Sequence, residues 1–316
     1  MRVRSWTILL MTMLAISSCG GGDGAETTAA GSGETTTVAV ETTAAGGTTA
    51  AGGTTAAAGG DDLLAKIQAD GEIVVSTDPA YPPQSELNPT TNEYEGFDID
   101  VANEIASRLG VEVRWETPAW ESIVSGSWQD RWHMSVGSMT VTAERAEVLD
   151  FAPAYYYTPA SVAVHADNST INDVETDLDG KTIGVCGGCS YDFFLQKTLE
   201  VPGYTFDFVI DDAEIVTYDT DSTVVADLAI GDGDRLDAAI SSLTVFEGAI
   251  DDGVPIKVVG DPIFYEPLAV AFDKSSSLDG SSLLDQVSAI VEEMHSDGTL
   301  SELSTKWFGV DYTVSG

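Results

Sequence analysis

Arg145 is the side chain whose surroundings point most directly to chemistry. Once Arg2 and Arg4 are set aside, it is one of five arginines in the chain. Ser138, Met139 and Thr140 end a predicted strand, and Thr142 stands where it caps a helix carrying Glu144, Arg145 and Val148. A strand end feeding a helix start exposes backbone N–H groups that suit an anion. A guanidinium there can grip a carboxylate through two parallel hydrogen bonds. The plainer reading is a surface arginine paired with Glu147 or Asp150.

Cys186-Gly187-Gly188-Cys189 is a second constellation, set between a predicted strand and a helix starting near Ser190. This cysteine spacing at a helix start matches a thioredoxin-type dithiol, and Gly184-Val185-Cys186-Gly187-Gly188 has the outline of a nucleophile elbow. His133, His165 and His295 are far apart in sequence and lack ligand spacing, whereas a zinc site needs three or four converging donors. The glycine-rich pieces contain neither GxxxxGK nor GxGxxG. Neither a metal nor a cofactor is expected.

Elements must hold these groups, and from Asp61 onward the pattern is α/β. Residues 72–78 form a β-branched run followed by a polar loop with Pro79, Pro82, Pro83 and Pro89. In 96–110, Phe97, Val101, Ile105 and Leu109 fall on one helical face beside Ala102 and Ala106, while Glu104 and Arg108 pair on the wet face. Strands are predicted at 111–115, 133–139, 181–186, 214–218, 236–241 and 256–259. Helices are predicted at 121–125, 191–199, 223–230 and 245–250, and through Leu283, Val287, Ile290 and Met294. Alternating strands and helices predict mainly parallel sheets covered on both faces.

The chain has 316 residues with 13 basic against 52 acidic side chains, enough for two cores once a leader is removed. That balance excludes a nucleic-acid partner and opposes docking on anionic headgroups. Most of the acidic charge is read as solvated surface. Arg2 and Arg4 precede an apolar stretch, 6–16, that is shorter than the roughly 20 residues of a membrane span. It ends in Ile16-Ser17-Ser18-Cys19, which resembles a bacterial lipobox. Residues 1–19 are therefore expected to be a lipoprotein signal with Cys19 lipidated; simple secretion with an incidental Cys19 is the alternative. Residues 20–60 hold almost no large apolar side chain and are expected to form a disordered Thr/Ala/Gly tether, with an adhesive or glycosylated stalk as the other reading.

Six segments in order, DPAYPP (78–83), GFDIDVANEIASRLG (96–110), GSMTVTAERAEVLDFAPAYYY (137–157), LDGKTIGV (178–185), GDRLDAAISS (233–242) and DGTLSELSTKWFG (297–309), resemble family 3 solute-binding proteins of polar amino acid ABC importers. The likeness runs from about residue 73 to 309. It implies a two-lobe, periplasmic-binding-protein-like (type II) α/β fold with a two-strand hinge. Lobe 1 would comprise 61–157 plus 267–316, and lobe 2 158–266. It also implies a monomer tethered outside the cytoplasm by its lipid, not an enzyme, which passes a small polar solute to separate permease and ATPase subunits.

Matched residue by residue, Arg145 would bind the solute's carboxylate, with Ser138, Met139 and Thr140 beside it. Asp78 and Tyr81 match a first loop that contacts the solute, although an Asp before Pro79 is otherwise a turn residue. Trp120 matches a stacking aromatic, with core packing as the alternative. Tyr155, Tyr156 and Tyr157 lie at the first crossing, where lining the crevice and hinge packing explain them equally. Cys189 and Ser190 match the closing loop of lobe 2, and there the expectation is a Cys186–Cys189 disulfide, with free thiols or redox chemistry as alternatives. Where relatives place an ammonium-pairing aspartate, this chain has Ser242. Asp219, Glu266 or Asp78 would then supply the charge, or the solute lacks a standard ammonium. A dehydratase-like catalytic relative and a sensing lipoprotein without transport are the competing functions.

Overall fold

The computed structural model describes residues 61–314, so the expected leader, the Cys19 lipidation site and the 20–60 tether lie outside the described residues. The described chain begins with α1 (Leu63–Asp70) and β1 (Glu72–Ser76), then a small antiparallel sheet of β2 (Ala80–Tyr81), β3 (Ser85–Leu87) and β4 (Tyr94–Glu95). α2 (Phe97–Leu109) follows and buries the face predicted for it, including Phe97, Val101, Ile105 and Leu109. Gly110, in the left-handed region at φ 76°, stops the helix by returning its N–H to Ala106 and Ser107. Glu104 and Arg108 pair on the outer face at 2.8 Å.

Next come β5 (Glu112–Glu116), α3 (Trp120–Val124), β6 (Met134–Thr140), the single turn α4 (Arg145–Val148) and β7 (Leu149–His165). The second half holds β8 (Lys181–Cys186), α5 (Ser190–Leu195), β9 (Ala213–Tyr218), α6 (Asp221–Leu228), β10 (Ala238–Ser242), α7 (Leu243–Asp251) and β11 (Ile256–Asp273). α8 (Ser281–Ser296) and α9 (Thr299–Phe308) close the chain.

Eight strands pair in the order β5-β1-β6-β11-β7-β10-β8-β9. The outer sets, β5-β1-β6 and β10-β8-β9, are parallel, as the alternating pattern predicted. The centre is antiparallel, and here the structure corrects that prediction. β7 and β11, 17 and 18 residues long, run through both halves and pair along most of their length. Prolines hid their length. β11 was expected to end at Val259, but Pro262 falls within the register shift between Val259 and Phe264, where a missing N–H costs no ladder bond.

The apolar residues gather accordingly. One cluster joins α1, α2, α8 and α9 to β1 and β6, and a smaller one lies around Trp128 and Trp132. Two others fill the half built on β8, β9 and β10. This is a two-lobe type II fold, with β7 and β11 as the two-strand hinge.

Gly96 ties the first loop to α2. Its φ is 133°, and a Cβ there would lie 2.2 Å from the Gln84 carbonyl oxygen, which accepts the Asp98 N–H at 2.8 Å. Gly110 also has positive φ but faces open space. Gly96→Ala is therefore expected to cost at least about 3 kcal/mol in urea unfolding, against about 1 kcal/mol for Gly110→Ala. Equal losses would show that the approach to Gln84 is not what requires glycine.

Candidate functional site

The carboxyl ends of the parallel strands converge on a partly open cavity of about 430 Å³ of non-atom space, some of it continuous with solvent, the location expected for a ligand crevice in such sheets. From the first lobe come Asp78 after β1, Tyr81 in β2, Trp120 opening α3, Gly137, Ser138 and Thr140 of β6, and Arg145 of α4. From the second come Cys186, Cys189, Ser190 and Tyr191 around the start of α5, and Asp221 opening α6. Glu266 enters from the hinge strand β11.

Arg145 is 3% exposed, so the alternative of a surface ion pair is overturned; Asp150 pairs instead with Lys274 at 3.5 Å. Its Nη1 donates to the Thr140 carbonyl oxygen at 2.9 Å and its Nη2 to that of Gly188 at 3.0 Å. Its Nε is buried and has no partner among the described residues. Trp120 lies beneath the guanidinium, 5.0 Å from carbon to ring centre, and donates its Nε1–H to the Gly188 oxygen at 3.4 Å. Burial lowers the Arg145 pKa to about 10, partly opposed by Glu266, so the group stays charged at neutral pH. The backbone does not add the helix N-terminus expected from the sequence. α4 is one turn long, and the Arg145 and Ala146 N–H groups are already bonded to the Thr142 hydroxyl and carbonyl.

Glu266 is buried and fully engaged. Its Oε2 accepts the hydroxyls of Thr140 at 2.6 Å and Ser190 at 2.5 Å, and its Oε1 accepts the Tyr191 hydroxyl at 2.7 Å. Asp78 is partly buried, accepts the Ala80 N–H at 2.9 Å and is raised in pKa chiefly by desolvation. The structure places the Cys186 and Cys189 sulfurs within bonding distance of each other against the cavity. Gly188 between them, at φ 69°, turns its carbonyl toward Arg145 and Trp120. Tyr81 packs its ring into the second lobe's apolar cluster, with its hydroxyl 3.5 Å from that of Tyr191.

Behind the wall lies Asp98, wholly buried in the first turn of α2. It accepts the hydroxyls of Tyr155 and Ser138, each at 2.7 Å. Tyr155 Oη in turn accepts the Ser138 N–H at 3.0 Å. These bonds hold Ser138 at φ 52°, a bend that non-glycine residues rarely adopt. Tyr155 and Tyr156 are thus buried supports of the wall and not part of its lining.

Three residues singled out from the sequence do not line this cavity. Met139 points into the cluster of Trp128 and Trp132, because alternation along β6 turns it away from Ser138 and Thr140. Asp219 lines a neighbouring groove with Thr117, Pro118 and Tyr218. Ser242 is buried and shares a hydrogen bond with Thr244. Conversely, Asp221, Tyr191 and Gly137 line the cavity without having been singled out, and Glu266 does so after being named only as a source of charge. An acidic residue inside the apolar stretch around 263–272 was the available signal for Glu266.

Burial pushes the Asp98 carboxyl up to about 7, against the bonds from Tyr155 and Ser138. An unfolded aspartate titrates near about 3.9. The native state therefore binds the extra proton between these values, and this contribution to stability, full below about pH 4, is lost as pH rises through about 7. The unfolding free energy of the native protein minus that of Asp98→Asn should fall across that window in urea titrations. A difference independent of pH would show that Asp98 is not held in this environment.

The sequence model of the bacterial extracellular solute-binding proteins, family 3, matches residues 73–310. A Bacillus subtilis (strain 168) protein described as the probable amino-acid-binding protein YxeM is 31% identical over 220 residues, covering 69% of this chain and 78% of that one. The L-cystine-binding protein TcyJ of Escherichia coli (strain K12) is 28% identical over 254 residues, covering 80% and 88%. Among solved structures, an ancestral arginine-binding protein bound to arginine superposes with a TM-score of 0.64 at 28% identity, covering 76% of this chain and 99% of the other.

Proposed function

The chain belongs to the bacterial extracellular solute-binding proteins, family 3, and on that premise we propose that its cleft captures an amino acid, or a related carboxylate-bearing amine, for an ATP-driven importer. The observation that carries this reading is Arg145, buried, charged and without a hydrogen-bonded carboxylate among the described residues. Leaving a charge unpaired out of water costs several kcal/mol. A solute carboxylate brought against the guanidinium would offset that cost.

In this mechanism Arg145 holds the carboxylate on lobe 1 and Trp120 packs against the solute body. Ser138 and Thr140 shape the wall, while Cys189 and Ser190 close from lobe 2. We take the lobes as 61–157 plus 267–316 and 158–266. The pairing of Tyr157 with Pro267 and of Thr158 with Glu266 supports dividing them there. The Cys186–Cys189 bridge fixes the loop that presents the Gly188 carbonyl to lobe 1. The protein works as a monomer anchored outside the cytoplasm through lipidated Cys19, and its closed form is what the permease engages.

Calorimetry with the twenty proteinogenic L-amino acids and L-cystine tests the reading. At least one should bind the wild type, and Arg145→Ala should lose about 2 kcal/mol or more of that affinity. Unchanged affinity in Arg145→Ala would remove it from the site. The double variant Cys186→Ser, Cys189→Ser should bind the same probe several-fold more weakly, about 1 kcal/mol, through a less ordered loop. Affinity equal to the wild type's would show that the bridge has no part in capture.

A further inference from the structure

The cavity holds three carboxyl groups, Asp78, Asp221 and Glu266, against one guanidinium, Arg145. The protein satisfies the three acids unequally. Glu266 accepts three hydroxyls over its two oxygens. Asp221 is only 4% exposed, yet among the described residues the one other residue that donates to it is Ser241, whose hydroxyl reaches Oδ1. Asp78 likewise has one bond, to Oδ1.

Helix capping does not explain Asp221. Thr220 is the cap of α6, and its hydroxyl accepts the Thr223 N–H at 3.3 Å. Nor does the protein's own cation. The charges acting most on Asp221 are Asp78 and Glu266, with Arg145 not among them, and the carboxylates acting most on Arg145 are Glu266 and Glu144. A second, independent sign of a ligand is Arg145, which lines the same cavity at 3% exposure with its Nε unpartnered among the described residues.

We propose that Asp221 is the cation acceptor of this cleft, sharing with Asp78 across the gap a positively charged group of the solute. The cleft would then shut only on a molecule with an ammonium, amidinium or guanidinium there and a carboxylate at Arg145. This rests on the binding function proposed above. Asp78 comes from lobe 1 and Asp221 from lobe 2, so closure brings like charges together. A cation between them turns repulsion into attraction, while a neutral or purely anionic solute leaves both carboxyls unpaired in a closed space. The cleft selects by what it repels as well as by what it holds. Ser242 does not serve this role, because it lies outside the cavity lining with its hydroxyl turned to Thr244.

Acid should weaken the grip. Burial, then the neighbouring Asp78 and Glu266, push Asp221 up to about 7, with the Ser241 bond opposing. The other titratable groups facing it are Tyr81 and Tyr191, which stay neutral, and the bridged cysteines do not titrate. A bound cation favours the ionised carboxyl, so affinity falls as pH drops below about 7.

The test uses calorimetry with the twenty L-amino acids and L-cystine, at about pH 8 and about pH 6, on wild type, Asp221→Asn and Asp78→Asn. Small-angle scattering of each protein without added solute accompanies it. Asp221→Asn should bind the amino acid that binds wild type at least about tenfold more weakly at the higher pH, and should lose the wild type's fall in affinity on acidification. Asp78→Asn should weaken binding in the same direction. Without solute, Asp221→Asn should have a smaller radius of gyration than wild type at the higher pH, because one repelling charge is gone. Affinity within about twofold of wild type, or an acid dependence that survives in Asp221→Asn, overturns the proposal. If no probe binds wild type, the amino-acid reading itself fails. The scattering comparison then still decides on Asp221, since identical radii across variants and pH would overturn its gating role.

Discussion

A positive charge held out of water with no carboxylate hydrogen-bonded to it among the described residues is the constraint around which this site is built. The Arg145 guanidinium is secured by two carbonyl oxygens and an indole face, and none of these carries a full charge. Dipoles and a ring quadrupole can hold a cation in place but cannot neutralise it. The protein keeps the group charged all the same, because a pKa of about 10 lies well above neutrality. The free energy forgone in folding is therefore available to any anion that reaches the cavity. The wall around it is stiffened to match: Ser138 is bent and tied to Asp98 and Tyr155, and Met139 is sunk beside Trp128 and Trp132.

The central strands explain how one sheet can serve two bodies. β7 and β11 pair with each other and also join β6 on one side and β10 on the other. Their register is broken between Val259 and Phe264 and again near Leu268 and Ala269. Such irregularities bend and twist a ribbon locally. Between the breaks, Thr158 faces Glu266 and Tyr157 faces Pro267. The segment that carries a cavity carboxylate is thus also the ribbon about which the lobes would swing.

Much of this was legible in the sequence because the relevant signals are local. The apolar spacing of 97–109, the strand-to-helix passage at 138–145 and the glycine-rich cysteine loop each announce an element and a polar group at its end. What stayed hidden depends on side-chain direction over one or two residues. A period of two along β6 separates Ser138 and Thr140 from Met139, yet proximity in sequence made all three look equivalent. Asp219 and Asp221 flank the same cap, and only the start of α6 decides that the second turns inward while the first faces a groove. Glu266 was harder still. Its partners are 126, 76 and 75 residues away, and no pattern along the chain reports such contacts.

Glu266 also bears on how easily the cleft can open. Thr140 reaches it from lobe 1, and Ser190 and Tyr191 reach it from lobe 2. Opening must therefore draw at least one set of hydroxyls away. Hydrogen bonds to a charged group contribute about 1.5–3 kcal/mol each in a buried setting. That figure is already net of the bonds water makes in the open cleft, so drawing one set of hydroxyls away costs on the order of a few kcal/mol. A solute that binds only the closed form favours it by about 2.7 kcal/mol at a hundred times its Kd, comparable with such a gap. A hinge-borne carboxylate satisfied by neutral hydroxyls thus gives the closed form a defined geometry without locking it. The decision to close is left to the groups the protein does not satisfy by itself, the guanidinium of Arg145 and the carboxyls of Asp78 and Asp221.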